Sequence, residues 1–314
     1  MTVPVEPPAL SVQPAPPAAD RSSAVAIVCA IGAVAVFAIQ DAIIKLLVAD
    51  YPTMQILGIR SVVMLIPAAI LLRAEGGLHR LRTRRPRGQL IRCLLTLVTW
   101  VSFYFAIARM PLGELAAILF SAPLMITALS GPLLGERVGL HRWTALLVGF
   151  LGVLLIVRPT GNAAGDWAGI AALVSSLFYA LMMIQTRRLT STESSAAMLV
   201  YSAVFMALVS MVTWPFQWQT PGGFDALLLL ALGLLGGVSQ YAMIQAYRLA
   251  PAYVVAPFDY THLLWAMALG YVIWAEVPDA AMLLGAMVIV CSGLYVLARE
   301  ARFMRRAARM REAG

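Results

Sequence analysis

The sequence is dominated by apolar segments of about 20 residues, separated by short turns or charged stretches. A helix of that length crosses the roughly 30 Å hydrocarbon core of a bilayer at 1.5 Å per residue. Because 61% of the residues are hydrophobic and only 12% are charged, little polar surface remains for a water-soluble domain. We therefore predict an all-α integral membrane protein with ten transmembrane helices. The predicted spans are 24–46, 55–73, 89–108, 114–134, 141–157, 167–186, 197–216, 226–247, 252–274 and 280–298.

The distribution of lysine and arginine predicts the orientation of the chain. Of these 23 residues, nineteen fall on the side of the N-terminus, three on the opposite side, and Arg60 inside the second span. Because cytoplasmic loops carry the excess of positive charge, we expect both termini in the cytoplasm and a bacterial inner membrane as the location. The net charge of +8 lies in these short loops and at the C-terminus, so we expect no nucleic-acid partner.

The two halves of the chain resemble each other. Pro111 and Pro251 each follow a similar helix end, and Glu136 and Glu276 each close the next helix. Both pairs are separated by 140 positions. Since five helices per copy is an odd number, the second copy is expected to be inverted relative to the first. Inverted repeats place a solute site between the copies, near the middle of the membrane, and permit alternating access.

This repeat defines the predicted domain organisation. Residues 23–160 form the first five-helix repeat and residues 161–300 form the second. Residues 1–22 contain six prolines and few large apolar side chains, so we expect a disordered tail rather than a signal peptide. Residues 301–314 are expected to form a basic cytoplasmic tail.

Several motifs resemble the drug/metabolite transporter superfamily, and more narrowly proteins with two EamA domains. They are Gly135-Glu136-Arg137-Val138, Trp143, the run Gly149 to Pro159, Phe37-Ala-Ile-Gln-Asp41 with Lys45, Arg60, and Trp274-Ala-Glu276. The tenth helix departs from the pattern, with Ser292-Gly293 where the fifth has Gly152. The resemblance implies a ten-helix basket with a central cavity and secondary transport of a small organic metabolite. Members of the superfamily carry amino acids, nucleosides, vitamins, cofactors and drugs.

The motifs of several enzyme classes are missing from the sequence. The only lysine is Lys45, so the chain has no phosphate-binding loop for ATP hydrolysis. The histidines His79, His141 and His262 are far apart and form no zinc motif. We therefore expect no cofactor, no metal and no enzymatic activity. A membrane-embedded enzyme and a non-transporting membrane subunit remain the alternatives, and the oligomeric state stays open.

The ninth span holds the most informative polar residues. Asp259, Tyr260, His262 and Trp265 lie within it, and Asp259 and His262 share one helical face. Ionisable groups inside a span are costly and by default mark a functional path. We expect these side chains to line the cavity and bind the solute, with protons as a hypothetical coupling ion because histidine changes charge near neutral pH. A buried pair that only stabilises the bundle is the structural alternative.

The first two spans supply further candidates. Asp41 and Lys45 are four residues apart and could form an ion pair near the outer end of the first span. Arg60 lies a few residues into the second span, where it could reach the interface, pair with Asp41 or contact the solute. Asp41 and Arg60 are therefore included among the predicted solute contacts.

Aromatic and amide side chains in other spans complete the predicted site. They are Trp100 and Tyr104 in the third span, Tyr179 in the sixth, and Gln240 and Tyr241 in the eighth. An organic ligand needs apolar contact together with a few oriented hydrogen bonds, and these residue types provide both. Packing between helices is the alternative role for each of them.

Overall fold

The computed structural model describes residues 21–134, 140–157, 163–189, 192–249 and 255–312. Regular structure within these ranges is helical throughout, with no strand. The α-helices are α1 (Arg21–Leu47), α2 (Thr53–Ala74), α3 (Pro86–Ile107), α4 (Leu112–Leu119), α5 (Ala122–Leu134), α6 (Leu140–Val157), α7 (Ala163–Leu189), α8 (Ser195–Gln217), α9 (Gly223–Leu249), α10 (Thr261–Trp274) and α11 (Ala280–Glu312). Short 3-10 helices cover Leu78–Leu81 and Ala256–Tyr260.

The predicted membrane architecture is confirmed. Six of the described helices are long and apolar enough to cross a membrane, namely α1, α2, α3, α7, α8 and α9. Shorter apolar helices cover Leu112–Ile126, Trp143–Val157 and Ala280–Tyr295. Together with α10, these segments account for the ten predicted spans. The predicted Pro-rich tail, residues 1–22, lies almost entirely outside the described residues.

Two of the predicted spans are interrupted rather than continuous. The fourth, predicted as one helix over 114–134, is divided at Phe120 and Ser121 into α4 and α5. The described part of the ninth begins with the 3-10 helix Ala256–Tyr260 and continues as α10. The last helix runs on to Glu312, beyond the predicted span end at 298. The interruptions matter for function because they expose backbone groups inside the bundle.

The packing of the helices follows the two repeats. In repeat order, the first copy is α1, α2, α3, α4 with α5, and α6, and the second is α7, α8, α9, the 3-10 helix with α10, and α11. The most extensive helix contacts are α1 with α9, α3 with α7, α2 with α8, and α6 with α11. Exchanging the two repeats converts this set of pairs into itself. The bundle therefore consists of two five-helix repeats related by an approximate two-fold relation.

The fifth helices of the two repeats touch through their backbones. A Cβ atom on Gly152 of α6 would lie 2.7 Å from the carbonyl oxygen of Gly285 in α11. The reciprocal distance, from a Cβ on Gly285 to the carbonyl oxygen of Gly152, is 2.6 Å. Only glycine fits at either position without a shift of the helices. Small residues are the usual means of close helix contact in membranes.

One end of the bundle is closed by dense packing, and we call it the Lys45 end. It holds the C-terminal end of α1, the start of α2, the end of α3 and the start of α4. Most of the largest fully buried side chains lie toward this end, including Leu47, Ile56, Ile107 and Leu112. Hydrogen bonds also join its loops: the Tyr51 hydroxyl donates to Asp225 at 2.7 Å, and the Gln55 amide donates to the Gln219 carbonyl at 2.6 Å.

The opposite end is joined by a different set of bonds. The buried carboxylate of Glu193 accepts from the backbone N–H groups of Arg84 and Arg85, at 2.9 and 3.2 Å. The Tyr201 hydroxyl donates to the Leu81 carbonyl at 2.8 Å. The loop between α2 and α3 is therefore tied to α8 and to the segment before it.

Candidate functional site

Two helix interruptions, one from each repeat, meet inside the bundle. The ring centroids of Phe120 and Tyr260 are 4.8 Å apart, with the ring planes inclined by 31°. These residues are separated by 140 positions, the offset that relates the two repeats. Interrupted helices at corresponding positions of inverted repeats are typical of transporter binding sites. The contact between Phe120 and Tyr260 therefore marks the candidate site.

The interruption between α4 and α5 has a local cause. Pro123 has no N–H group, so it cannot bond the carbonyl of Leu119 one turn earlier, and its ring crowds that carbonyl. The hydroxyl of Ser176 in α7 lies 3.2 Å from the Leu119 oxygen and 3.4 Å from the Ile118 oxygen. Ser121 donates to Ser176 at 3.0 Å. A buried serine thus supplies the donor that the interrupted helix lacks.

The interruption before α10 is completed by its own residues. The Thr261 hydroxyl donates to the carbonyl of Phe258 at 2.7 Å, and the same carbonyl accepts from the Thr261 backbone N–H where the 3-10 helix ends. A Cβ atom on Gly293 of α11 would overlap the Tyr260 hydroxyl. The absence of a side chain at Gly293 therefore leaves space for the Tyr260 hydroxyl, while the Tyr260 ring packs against Phe120.

An ion pair between the repeats lies next to this contact. Nε2 of His262, at the start of α10, is 3.1 Å from Oδ2 of Asp41 in α1. The two side chains are 17% and 19% exposed, so both retain some access to solvent. The imidazole ring also meets the edge of the Phe120 ring, with centroids 6.3 Å apart.

The partners within this group differ from those that the sequence suggested. Asp259 was expected to act together with His262, yet the ionic partner of His262 is Asp41, on the other repeat. Asp259 lies in the 3-10 helix, within electrostatic range of Tyr179 and Tyr260. The predicted role of Asp259 in binding stays a prediction.

A second ion pair connects both interrupted helices at the Lys45 end. Lys45 of α1 pairs with Oε1 of Glu276, just after α10, and also donates to the Met110 carbonyl at 3.0 Å. Oε2 of Glu276 accepts from the backbone N–H of Leu112, the first residue of α4, at 2.9 Å. The expected local pair between Asp41 and Lys45 does not form. Asp41 instead contacts His262 at the start of α10, and Lys45 pairs with Glu276 just after α10.

The cation of the second span rests on an aromatic ring. The guanidinium carbon of Arg60 lies 4.1 Å from the Trp100 ring centroid. Tyr104, one turn further along α3, is fully buried, and the Arg60 guanidinium approaches its hydroxyl without an aligned hydrogen bond. Trp100, Tyr104 and Arg60 are thus brought together as predicted.

Four other predicted residues take no part in the hydrogen bonds, ion pairs and ring contacts described above. Gln240 and Tyr241 of α9 are exposed, whereas their neighbour Ser239 is buried and accepts a hydrogen bond from Gln40 of α1 at 3.1 Å. Trp265 and Tyr179, also predicted, are about two-fifths exposed. Their roles as solute contacts stay predictions. Across the described ranges, no group of three or more His, Cys, Asp or Glu side chains could hold a metal ion.

The repeats match a known family model along nearly their whole length. The model of the EamA-like transporter family matches residues 24–158 and again residues 166–298. The chain belongs to the EamA-like transporter family. The resemblance predicted from the sequence motifs is therefore confirmed, and so is the general function, transport across a membrane.

Named relatives of this EamA-like transporter move different small molecules. An S-adenosylmethionine uptake transporter of Rickettsia felis is 28% identical over 73% of this chain and 78% of its own length. A riboflavin transporter of Vibrio cholerae is 29% identical over 78% of this chain and 82% of its own. The pseudopaline exporter CntI of Pseudomonas aeruginosa is 27% identical over 81% and 89%. All three carry small organic solutes, and they include both uptake and export.

A solved structure shares the fold of this EamA-like transporter. A protein known from its crystal structure superposes with a TM-score of 0.62 at 17% identity, covering 90% of this chain and 98% of its own. At this identity the likeness concerns the fold alone.

Sequence reasoning missed several residues that build the site of this EamA-like transporter. Pro123 was a partial signal, since proline weakens a helix but Pro67 and Pro215 lie inside continuous ones. Ser176 and Ser239 gave no signal, because serines are common in membrane helices and their partners lie on other spans. Glu276 was noted only as the end of the ninth span, because its bonds to two other helices depend on the folded bundle.

Proposed function

We propose that this protein is a secondary transporter that binds a small organic solute beside the contact between Phe120 and Tyr260. The observation that carries the proposal is the meeting of two interrupted helices, one from each repeat, next to the Asp41–His262 ion pair. Such a site is shared by both repeats, so relative motion of the repeats changes its access from one side of the membrane to the other. The solute class follows the relatives, which carry S-adenosylmethionine, riboflavin and pseudopaline.

The chemistry of the site suits a solute with an aromatic or heterocyclic part. The rings of Phe120 and Tyr260 offer stacking surface, and the carboxylates of Asp41 and Asp259 offer charge and hydrogen-bond acceptors. Predicted contacts that complete the proposed site are Trp265, Tyr179, Gln240 and Tyr241.

We further propose that a proton is exchanged at the Asp41–His262 pair during the cycle. Two charged groups lie close to this pair along the chain: Lys45, one turn further along α1, and Asp259, in the 3-10 helix before α10. A third is Arg60, because Arg60 and Asp41 both lie close enough to Tyr104 to interact with it electrostatically. When a solute group replaces either partner, the other must change its charge or its hydration, because an isolated charge at this depth is costly. The transport step itself requires no covalent chemistry, so no enzymatic role is proposed.

The proposal includes the location and the limits of the repeats. The protein lies in a bacterial inner membrane with both termini in the cytoplasm, which the bias of lysine and arginine between the loops supports. The first repeat extends over 23–160 and the second over 161–300, flanked by the tails 1–22 and 301–314. Under this orientation the Lys45 end faces outward.

Transport by the purified protein in proteoliposomes tests the proposal. A thermal-shift screen against amino acids, nucleosides, flavins and S-adenosylmethionine selects ligands, and uptake of those ligands is then measured at pH 5 to 8 with and without a pH gradient. Asp41→Asn and His262→Gln are expected to reduce uptake at least about tenfold and to flatten its pH dependence, a loss of about 1.4 kcal/mol or more of binding or transition-state free energy. Asp259→Asn tests the additional carboxylate in the same assay.

Asp225→Asn is the matched control, because Asp225 is bonded to Tyr51 at the Lys45 end and lies outside the proposed site. It should transport at the wild-type rate. Wild-type uptake and pH dependence in both Asp41→Asn and His262→Gln would refute the proposed site, and the ion pair would then be structural.

A further inference from the structure

Arg60 is a cation inside a membrane span that has no acidic partner among the described residues. It lies seven residues after the start of α2, roughly 10 Å along the helix axis at 1.5 Å per residue. Asp41, the carboxylate that the sequence suggested as its partner, is paired with His262 instead. Half-burial at this depth makes an unpaired guanidinium costly, so its position calls for an explanation.

Two arginines near the ends of α3 form hydrogen bonds with their surroundings. Arg92 donates to Thr186 and Ser202 and to the Met198 carbonyl, at 2.6 to 2.8 Å. Arg109 lies over the Phe105 ring and donates to the Phe105 carbonyl at 3.1 Å. Arg60, by contrast, makes a face contact with Trp100 and approaches the Tyr104 hydroxyl without an aligned hydrogen bond.

A second unsatisfied donor lies beside it. Tyr104 is 0% exposed, and its hydroxyl has no hydrogen-bond partner within the described ranges. Arg60 is close enough to interact electrostatically with this hydroxyl. A fully buried hydroxyl without a partner is unfavourable, so a ligand group that accepts from it removes that cost.

We propose that Arg60, Tyr104 and Trp100 form a subsite for the carboxylate of the transported solute. A carboxylate can accept two parallel bonds from the edge of the guanidinium and a third from the tyrosine hydroxyl, while the Trp100 ring packs against the face of the guanidinium. The inference rests on the proposed function, since it assigns one end of the solute in the same site. It also separates two tasks: Arg60 selects an anionic group, and the Asp41–His262 pair responds to the rest of the solute.

Equilibrium binding of matched acids and amides to the purified protein tests this subsite. The probes are four pairs: benzoate and benzamide, indole-3-acetate and indole-3-acetamide, nicotinate and nicotinamide, and N-acetylphenylalanine and its amide. Wild type is expected to bind at least one acid about tenfold or more tightly than its amide, measured by calorimetry. In Arg60→Gln the preference should vanish while affinity for the amide is unchanged, and Arg60→Lys should retain part of it because the charge remains without the fork.

Arg109→Gln is the matched control, since Arg109 also lies over an aromatic ring but is exposed. It should keep the full preference for the acid. Melting temperatures without ligand show that each variant is folded, and Arg60→Lys supplies the comparison if Arg60→Gln unfolds. The subsite is overturned if no acid binds more tightly than its amide. It is also overturned if the full wild-type preference for the acid persists in Arg60→Gln, or in Arg60→Lys where Arg60→Gln unfolds. Because this experiment measures binding and not transport, a failure of the carboxylate subsite can be distinguished from a failure of the proposed transport function.

Discussion

The two helix interruptions occupy equivalent positions in the two repeats, yet their residues differ in kind. The pairs of equivalent residues, first repeat then second, are Leu119 and Asp259, Phe120 and Tyr260, Ser121 and Thr261, and Ala122 and His262. The first interruption is made without any ionisable group, so breaking the helix does not require Asp259 or His262. In the proposed site the second repeat contributes Asp259 and His262, and the first repeat contributes Asp41.

The breaks also differ in how their backbone is satisfied. Ser176, on a different helix, serves the carbonyl of Leu119, whereas Thr261 serves the carbonyl of Phe258 within its own segment. The first interruption is thus held by its neighbour, while the second is held locally and presents His262 to Asp41 of the other repeat. Four sets of variants, from the largest expected effect to the smallest, test this difference.

Glu276 connects the two interrupted helices, and its loss should have the largest effect. Glu276→Ala leaves the partly buried Lys45 cation without its carboxylate and the Leu112 N–H without its acceptor. We expect a loss of roughly 2–4 kcal/mol in unfolding free energy, below the full value for a buried pair because both side chains are partly exposed. Denaturant unfolding in detergent measures it.

The double variant Lys45→Met/Glu276→Met removes both charges and should recover much of this loss, because no unpaired cation remains. Glu75→Gln is the matched control, since Glu75 accepts from the Ala196 N–H at the opposite end at 3.3 Å and has a smaller expected effect. Equal losses for Glu75→Gln and Glu276→Ala would contradict a special role for Glu276.

Gly293→Ala should disturb the second interruption alone. The added methyl group would overlap the Tyr260 hydroxyl, and overpacking of this kind costs about 1–3 kcal/mol. Removing the hydroxyl in Gly293→Ala/Tyr260→Phe should restore part of the stability, measured by thermal unfolding. No difference between the single and double variants would show that α11 does not confine the Tyr260 ring.

The aromatic contact between the breaks should appear as a coupling energy. Phe120→Ala and Tyr260→Ala are each expected to destabilise the protein, and the double variant should lose less than the sum by about 0.5–1.5 kcal/mol. Tyr260→Phe keeps the ring and should retain most of the coupling. Additive losses in unfolding experiments would mean that the two interruptions are energetically independent.

The smallest effects are expected from the two hydroxyl groups at equivalent positions. Thr261→Val leaves the Phe258 carbonyl without its side-chain donor and should cost about 0.5–1 kcal/mol. Ser121→Ala should cost less, because Ser176 still donates to a carbonyl of the interrupted helix. A larger loss of stability for Ser121→Ala than for Thr261→Val in thermal unfolding would contradict the idea that the second interruption is stabilised by its own residues and the first by Ser176 of α7.

The sequence predicted the spans and the repeat because both depend on local patterns. Segment length and hydropathy identify helices that can cross a membrane, and the 140-residue offset of Pro111 and Pro251 identifies the duplication. Neither feature needs knowledge of which helices are neighbours. The break at Pro123 is different, because Pro67 and Pro215 lie inside continuous helices and a proline alone does not identify the span that is interrupted.

Partner choice in the site could not be read in the same way. Asp41 and Lys45 are one turn apart on α1, which favours a local pair when the helix is considered alone. In the bundle, α10 places His262 next to Asp41, and the segment just after α10 places Glu276 next to Lys45. Packing between spans decides such pairs, and sequence spacing within one span carries no information about it.

The contact between Gly152 and Gly285 has a mechanical consequence. Each carbonyl oxygen occupies the place that a side chain on the other helix would fill, so one helix cannot slide along the other without a collision. Side chains also pack at this contact, since the same Cβ positions would lie 2.6 to 3.1 Å from the nearest carbon atoms of Ile156, Val288 and Ile289. We therefore expect the last helices of the two repeats to keep a fixed separation at this point.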